Sequence, residues 1–200
     1  MPLLTKEDEL HGYAPDAWPF WRNLALYFCV FSVLGHWLEI AYCSFMNLFG
    51  IVDADSLVWA DPFYPFLVYG IGATICSIVL VPLKIRLVER CSSLLNAGVR
   101  FYIITVLVCM LMELVMGFML NQPNAAGEYP LWDNSKLPFN ILDQAWLVND
   151  LTLGAVATVY TWVIYPLCQK AIAKIPLRII NPLAVVIIVG FILLCIVKFS

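Results

Sequence analysis

Apolar residues in this chain are gathered into long runs with few polar interruptions. Five runs cover approximately residues 24–49, 63–83, 99–121, 145–167 and 179–197. A helix needs about 20 residues to cross a hydrocarbon core of roughly 30 Å. Barrel strands would be about 10 residues long and alternate in polarity, and no other backbone structure satisfies its hydrogen bonds in lipid. The pattern therefore predicts an all-α integral membrane protein with about five transmembrane helices.

Composition excludes most other classes of protein. Of the 200 residues, 62% are hydrophobic and 12% are charged, whereas an ordinary soluble domain is roughly one quarter charged. The net charge is -3 and no basic patch lies beside exposed aromatic residues, so nucleic acid is excluded as a partner. The surrounding partner is the lipid bilayer. We expect residues 1–23 to form a cytoplasmic and interfacial segment and residues 24–200 to form a single five-helix domain.

The distribution of lysine and arginine predicts the orientation of the helices. With five spans, the N-terminus and the loops 84–98 and 168–178 lie on one side, which carries nine of the eleven basic residues, while Lys136 and Lys198 lie on the other. Cytoplasmic loops are enriched in basic residues. We therefore expect a cytoplasmic N-terminus and an external C-terminus, with external loops at 50–62 and 122–144.

Several kinds of site are missing from the sequence. It contains no P-loop, no GxSxG and no HExxH motif, and only two histidines, His11 and His36. The seven cysteines lie in apolar runs or near helix ends without a CxxC pair, which favours buried free thiols. No cofactor is evident, although a bound cation is compatible with the sequence. Enzymatic activity stays open but is less favoured.

Two stretches of the chain resemble each other at an offset of 74 residues. Gly35, Glu39 and Cys43 correspond to Cys109, Glu113 and Gly117, each set spaced by one helical turn. Tyr64-Pro65-Phe66 corresponds to Leu137-Pro138-Phe139 with a one-residue slip, and each tripeptide precedes the next span. This pattern predicts that the first two spans and the next two form a parallel repeat.

The repeat places one carboxyl in each half at the same depth, in the outer half of the membrane. A charged group at a helix centre costs on the order of 2.5–3.5 kcal/mol, so such residues normally face a bundle interior or a pathway. His36 lies three residues before Glu39 and shares its helix face, so this pair could move a proton, bind a cation or form a neutral hydrogen bond. Glu113 needs a partner from another span, for which Asp150 with Asn149, and Asp143, are the candidates. We expect Glu39, Glu113, His36 and Asp150 to form an intramembrane polar centre, with Glu39 and Glu113 as candidate cation ligands.

The second external loop combines turn-forming residues with large apolar ones. Trp132 and Phe139 lie among asparagine, proline and glycine, and turn chemistry accounts only for the latter. The apolar residues predict that the segment 130–143 is ordered and packs against the mouth of the bundle.

Four segments in order resemble a known bacterial family. They are LGHWLEIAY (34–42), DPFYPFLVYGIGA (61–73), MELVMG (112–117) and PLWDNSKLPFN (130–140). The chain is similar, over about 25–167, to the ABC-transporter type IV membrane proteins. That family has a tryptophan and a glutamate in the first span, a proline-rich entry to the second, a glutamate in the third, and a W-D-Y-S motif followed by asparagine.

The resemblance adds an external motif to the candidate residues. The W-D-Y-S pattern falls on Trp132, Asp133 and Ser135, followed by Asn140, while Asn134 replaces the tyrosine and Leu142-Asp143 replaces an expected glycine. We include Asp143 in this motif. The resemblance implies a multi-pass protein of the bacterial cytoplasmic membrane with a permease-like role in transport.

Three functions are compatible with these observations. The first is a transport component that uses the intramembrane carboxylates, with an ATPase, another transporter subunit or a second copy of the chain as its partner. The second is a membrane enzyme at the external face, with carboxylates as acid, base or metal ligands. The third is a non-catalytic accessory or sensor protein. The first is favoured.

Overall fold

The computed structural model describes residues 13–50, 61–125, 127, 129 and 132–200. Within that part, five helices are long and apolar enough to cross a membrane, which confirms the predicted all-α membrane fold. The only strands described are β1 and β2, two residues each, paired antiparallel with Ile141 opposite Ala145. The elements in chain order are α1 (Trp18–Asn47), α2 (Leu67–Ile75), a π-helical segment (Cys76–Leu80), α3 (Val81–Arg90), α4 (Leu94–Leu120), β1 (Asn140–Ile141), β2 (Ala145–Trp146), α5 (Leu147–Val159), a second π-helical segment (Tyr160–Ile164), α6 (Tyr165–Ala173) and α7 (Leu177–Phe199).

The first helix begins earlier than its apolar run. Trp18 is its first residue and Pro19 lies in its first turn, where a proline costs no hydrogen bond and its fixed φ suits the helix. The helix therefore includes the last residues of the segment 1–23, whose cytoplasmic and interfacial position stays a prediction. The aromatic side chains Trp18 and Trp21 are exposed on this first turn, as the membrane interface favours.

The described chain divides into two compact units. Unit 1 contains Ile78 and the residues before it, together with Tyr165–Ser200, and unit 2 contains Val79–Ile164. The organisation of 24–200 as a single domain stays a prediction. The boundaries fall within the two π-helical segments or directly beside them.

In unit 1, an extended segment runs along α1 before α2 begins. The Phe66 N–H donates to the carbonyl of Ser32 at 3.1 Å, which is the middle of α1. Helix α2 begins at Leu67, four residues later than the apolar run predicts, because Pro62 and Pro65 hold the preceding residues out of the helical conformation. Residues 61–66 thus place their backbone carbonyls beside α1.

Helix α7 completes unit 1 and packs on α1 through a small cluster. Leu26 of α1 contacts Ile180 and Ala184 of α7, all almost fully buried. Most other apolar residues of α7 are exposed, as expected of a lipid-facing helix. However, α7 also carries Asn181 and Lys198, and both make polar contacts that its apolar composition does not predict.

In unit 2, α4 packs on α5 and on the second π-helical segment. Gly154 of α5 lies so close to Val106 of α4 that an added Cβ would be 3.2 Å from the Val106 Cα. Phe101 is fully buried and meets Trp162 edge to face, with ring centroids 5.8 Å apart. The Tyr102 hydroxyl donates to the carbonyl of Leu151 at 3.0 Å. Small residues here permit close approach of the two backbones.

The two units repeat the same local geometry. Gly70 packs against Ser32 in unit 1 as Gly154 packs against Val106 in unit 2. Ser32 and Val106 are 74 positions apart, as the sequence offset predicts, but Gly70 and Gly154 are 84 apart. Four residues further along, Thr74 and Thr158 donate back to the carbonyls of these glycines at 2.9 and 2.7 Å. The alignment of residues 64–66 with 137–139 is therefore replaced by this longer offset.

Most of the ten additional residues lie in the connection of the second repeat, residues 121–146, which holds the β-hairpin. Both connections are followed by a helix that contains a π-helical segment, beginning at Cys76 and at Tyr160, again 84 positions apart. Each segment lies just before a proline, Pro82 or Pro166. Proline has no N–H for the carbonyl four residues earlier, and local π geometry accommodates that loss. In unit 1 the carbonyl freed by Pro82, that of Ile78, accepts from the Tyr13 hydroxyl at 3.1 Å.

Candidate functional site

His36 links α1 to the extended segment in unit 1. Its side chain is fully buried, and its Nε2 lies 3.0 Å from the carbonyl oxygen of Asp61. A carbonyl can only accept, so Nε2 carries a proton and, in a neutral ring, Nδ1 does not. Tyr64 and Phe66 meet the imidazole edge to face, with centroids at 6.1 and 5.9 Å. The ring is therefore held in one orientation with Nδ1 directed towards Glu39.

Glu39 faces this unprotonated nitrogen. Its Oε2 lies 3.7 Å from His36 Nδ1, which confirms that the two residues share one face of α1. The carboxyl also accepts a hydrogen bond from the Tyr69 hydroxyl of α2, and Gly35 lets the Tyr69 side chain lie against α1. One proton between Glu39 and His36 makes the pair either two neutral groups or an ion pair. The arrangement can thus hold or pass on a proton.

Asp61 forms an ion pair at the exposed side of the same cluster. Its Oδ2 lies 2.6 Å from Lys198 Nζ of α7, and both side chains are 30% exposed. The hydrogen bond from Lys198 holds the pKa of Asp61 below its ordinary value of 3.8, and the N–H of Phe63 acts in the same direction. Asp61 therefore binds two residues. Its backbone carbonyl accepts the hydrogen bond from His36, and its carboxylate forms the ion pair with Lys198.

This ion pair predicts a defined pH dependence. Because folding lowers the pKa of Asp61, the ion pair stabilises the folded protein above pH 3.8. This stabilisation is lost as the pH falls through the lowered pKa of the folded state. We expect Asp61→Asn to lower the unfolding temperature at neutral pH and to match the parent protein in acid. Thermal unfolding between about pH 7 and pH 3 measures this difference. The control is Asp143→Asn, and a gap between Asp61→Asn and the parent that is equal at every pH would contradict the prediction.

In unit 2, Glu113 of α4 receives hydrogen bonds from the beginning of α5. Asn149 Nδ2 donates to Oε1 at 2.9 Å, and the backbone N–H of Trp146 donates to Oε2 at 3.4 Å. Two donors on separate oxygens stabilise the charged form of a carboxyl. The prediction that Asn149 and Asp150 supply the partners of Glu113 is confirmed, whereas Asp143 is not among these partners.

Asp150 is the buried neighbour of Glu113. Its side chain is fully buried, and neither carboxylate oxygen has a hydrogen-bond partner within 3.5 Å among the described residues. The Glu113 carboxyl lies close enough to interact with it electrostatically. Two adjacent buried carboxyls cannot both be charged unless a cation joins them. Because the donors reach Glu113, they favour its charged form, and the two carboxyls hold one proton between them.

Both carboxyl clusters lie at the same distance from the helix crossing of their unit. Glu39 is seven residues beyond Ser32, and Glu113 is seven residues beyond Val106. At a rise of 1.5 Å per residue, each carboxyl begins about 10 Å along the helix from the crossing. The described residues contain no group of three or more His, Cys, Asp or Glu side chains that could hold a metal ion.

The predicted motif in the outer loop forms a network around Gln144. Trp132 Nε1 and Asn134 Nδ2 donate to the Gln144 carbonyl at 2.9 and 2.8 Å. The Gln144 side chain exchanges hydrogen bonds with Asn121 at the end of α4 and lies against Gly117, where a Cβ would overlap it. Asn134, which stands in place of a tyrosine, is thus a buried hydrogen-bond donor.

The other motif residues shape the loop itself. Asp133 Oδ1 accepts from the Ser135 hydroxyl at 2.6 Å and from its N–H at 2.9 Å, and these bonds lower the pKa of Asp133. Asn140 donates to the carbonyls of Ser135 and Leu137. These contacts fix a turn before β1. The structure leaves residues 130 and 131 of the predicted ordered segment outside the described range.

Leu142 and Asp143 form the turn of the β-hairpin, which explains why a glycine is expected there. Their φ angles are 54° and 60°, and the Gln144 N–H closes the turn on Ile141 at 3.2 Å. Both central residues of this turn type favour glycine or asparagine. Asp143 is therefore a turn residue and not a ligand of the carboxyl cluster.

We expect Leu142→Gly to stabilise the protein. The left-handed conformation costs a residue with a Cβ roughly 1 kcal/mol, and the Leu142 side chain is 67% exposed, so little burial is lost. The unfolding temperature of the variant should rise by a few degrees. The matched control is Ile141→Gly on the neighbouring strand, which should lower it. A decrease for both variants would show that Leu142 stabilises through contacts instead.

Several contributors to the clusters have no signal in the apolar pattern. Lys198 and Asp61 are distant in sequence, and the Trp146 contact comes from a backbone N–H.

The family model described as "Putative ABC-transporter type IV" matches residues 26–199. The chain belongs to this family. No curated protein and no solved structure matches the chain.

Membership of the ABC-transporter type IV family covers every described cluster. The matched range includes Glu39 with His36 in unit 1, and Glu113 with Asp150 in unit 2. Together with the five apolar helices, it identifies a multi-pass membrane protein of transporter type.

Proposed function

We propose that this ABC-transporter type IV protein exchanges protons for a small cation through its intramembrane carboxyls. The observation that carries the proposal is the pair formed by Glu113 and the fully buried Asp150. When a cation enters between these carboxyls, the Asp150 proton leaves and both groups become charged. For a monovalent cation the net charge of the two carboxyls and their ligand is the same before and after the exchange, so the exchange itself adds no net charge to the buried site.

The cluster in unit 1 supports the same chemistry. Glu39 and His36 hold one proton between them, and the His36 Nε2–H contacts Asp61 at the edge of the membrane-embedded part. Imidazole can accept a proton on one nitrogen and release one from the other. We infer that His36 passes protons between Glu39 and the exposed edge of unit 1 beside Asp61. We retain the prediction that Glu39 and Glu113 act as a functional pair.

Transport experiments test this proposal directly. Proteoliposomes loaded with a pH-sensitive dye and an acidic interior are given external Na⁺, K⁺ or tetramethylammonium. We expect at least one cation to raise the internal pH faster than in protein-free liposomes. Glu113→Gln and Asp150→Asn should reduce the rate to the protein-free level, because each removes one charge from the cation-bound site. Asp143→Asn, in the hairpin turn, should retain the parent rate.

Two results would contradict the exchange function. The first is a parent protein that moves no protons with any of these cations. The second is a Glu113→Gln variant as active as the parent. Either would favour a role for the carboxyls in fixing the packing of α4 and α5.

We further propose that the N-terminus is cytoplasmic and the C-terminus external, in the cytoplasmic membrane of a bacterium. Nine of the eleven basic residues then lie on the cytoplasmic side, and both carboxyl clusters lie in the external half. A reporter enzyme that is active only outside the cytoplasm, fused after Ser200, should be active. Activity of a cytoplasm-specific reporter at the same position would reverse the assignment. Since the sequence contains no P-loop, any use of ATP would require a partner ATPase.

A further inference from the structure

Arg22 is a buried charge without a described counter-charge. Its side chain is 7% exposed and lies in the second turn of α1. The acids of unit 1 that the structure describes are Asp16, Glu39 and Asp61, and none of them forms an ion pair with Arg22. Glu39 is 17 residues away along α1, or about 25 Å. A buried charge normally has a partner of opposite sign.

The hydrogen bonds of Arg22 leave part of the guanidinium available. Nε and Nη2 donate to Asn23 Oδ1 at 3.1 and 2.8 Å, and Nη1 donates to Asn181 Oδ1 of α7 at 2.7 Å. A guanidinium has five N–H donors, so two have no partner among the described residues. Neutral amides orient this group without cancelling its charge. Asn23 is itself held by Gln169 of α6 at 3.3 Å.

An apolar groove begins one helical turn from Arg22. It has a volume of about 470 Å³ and is lined without polar surface by residues of α1, α7 and the first residue of α2, including Ala25, Phe28, Ile188 and Phe191. The groove follows α1 and α7 along their axes. Its lining and its direction match an acyl chain.

We propose that this site binds a phospholipid with an anionic headgroup, whose phosphate contacts Arg22 and whose acyl chain occupies the groove. The phosphate oxygens accept the two remaining N–H donors in the bidentate manner that arginine favours. An anionic headgroup is preferred to a zwitterionic one, because only the former brings a net charge to balance Arg22. Exposed Lys174 at the same end of unit 1 adds to the attraction.

Native mass spectrometry of the purified full chain tests this site. The protein in detergent is mixed with phosphatidylglycerol or with phosphatidylcholine of the same acyl chains. We expect one phosphatidylglycerol to bind roughly tenfold more tightly than phosphatidylcholine, as a charge-assisted contact allows. Arg22→Gln should remove this preference, whereas Arg178→Gln, which changes an exposed arginine at the same end, should keep it.

A second variant separates the headgroup from the acyl chain. Ala25→Phe fills the groove but leaves Arg22 in place. It should therefore weaken the binding of both lipids, while any stabilisation against unfolding by inorganic phosphate should remain. This variant also tests the site if Arg22→Gln does not fold. Equal binding of the two lipids to the parent protein would overturn the proposal. So would equal effects of Arg22→Gln and Arg178→Gln, which would assign Arg22 to an acidic residue of a partner protein. Neither readout depends on cation exchange.

Discussion

Asp150→Asn is expected to remove a protonated-carboxyl band from the infrared spectrum of this protein at neutral pH. The C=O stretch of a protonated acid is distinct from the bands of a carboxylate, and it shifts when the exchangeable hydrogen is replaced by deuterium. In the parent protein we assign one such band to Asp150, which is fully buried and receives no hydrogen bond from described residues. Glu113 carries the charge because Asn149 and the Trp146 N–H both donate to it.

Matched variants test the assignment of this band to Asp150. Glu113→Gln should keep the Asp150 band and shift its frequency, since the proton then meets an amide in place of a carboxylate. Asp143→Asn changes an acid in the hairpin turn and should leave the band unchanged. Addition of the transported cation should reduce the band in the parent protein, because the cation displaces the proton. A spectrum unchanged by Asp150→Asn, or an equal loss of the band in Asp143→Asn, would refute the shared-proton arrangement.

The relation between the two carboxyl clusters is tested by a double variant. If Glu39 and Glu113 act as a unit, Glu39→Gln and Glu113→Gln should each abolish exchange, and the double variant should be no worse than either single one. Their unfolding temperatures should be unchanged or raised, since a desolvated charge is removed. Exchange that survives in both single variants would show that the carboxyls are structural.

Gly70→Ala is expected to destabilise the protein strongly, while Gly72→Ala two residues away should have little effect. A Cβ on Gly70 would overlap the Ser32 hydroxyl and lie 2.7 Å from the Phe28 carbonyl of α1, whereas a Cβ on Gly72 meets nothing within 4 Å. Overpacking of this kind typically costs about 1–3 kcal/mol. Since α1 and α2 share a rigid backbone contact here, neither helix can yield locally. Thermal unfolding in detergent measures the difference between the two alanine variants.

The repeat supplies an independent copy of this test in unit 2. Gly154→Ala would place its Cβ within 3.3 Å of the Val106 backbone nitrogen, and Gly98→Ala, with nothing within 4 Å, is its control. Both close-contact variants should lower the unfolding temperature more than their controls. Similar unfolding temperatures for Gly70→Ala and Gly72→Ala would mean that α1 and α2 separate at little cost.

Hydrophobic run length predicted the number and type of the helices, because in lipid the backbone must satisfy its own hydrogen bonds. It did not predict where each helix begins. Pro19 is compatible with the first turn of α1, so that helix starts at Trp18, whereas Pro62 and Pro65 delay α2 to Leu67. The length of an apolar run reflects the free energy of transferring that segment into lipid, whereas the residue at which a helix begins depends on local backbone chemistry. Proline fits the first turn of a helix, but it disfavours the helical conformation of the residue before it.

Residue type and spacing along one helix were sufficient to predict the two carboxyls, their matched positions in the repeat and the pairing of Glu39 with His36. The groups that complete each cluster depend on contacts between residues that are distant in the sequence. The Trp146 backbone N–H carries no side-chain signal, and Lys198 reaches Asp61 from a helix 137 positions later. The 84-residue offset of Gly70 and Gly154 likewise emerges from packing, since the ten additional residues, most of them in the loop before α5, interrupt a constant sequence register without removing the contact between the two helices. Spacing within a helix is fixed by its rise, but contacts across a fold depend on how side chains and backbones meet.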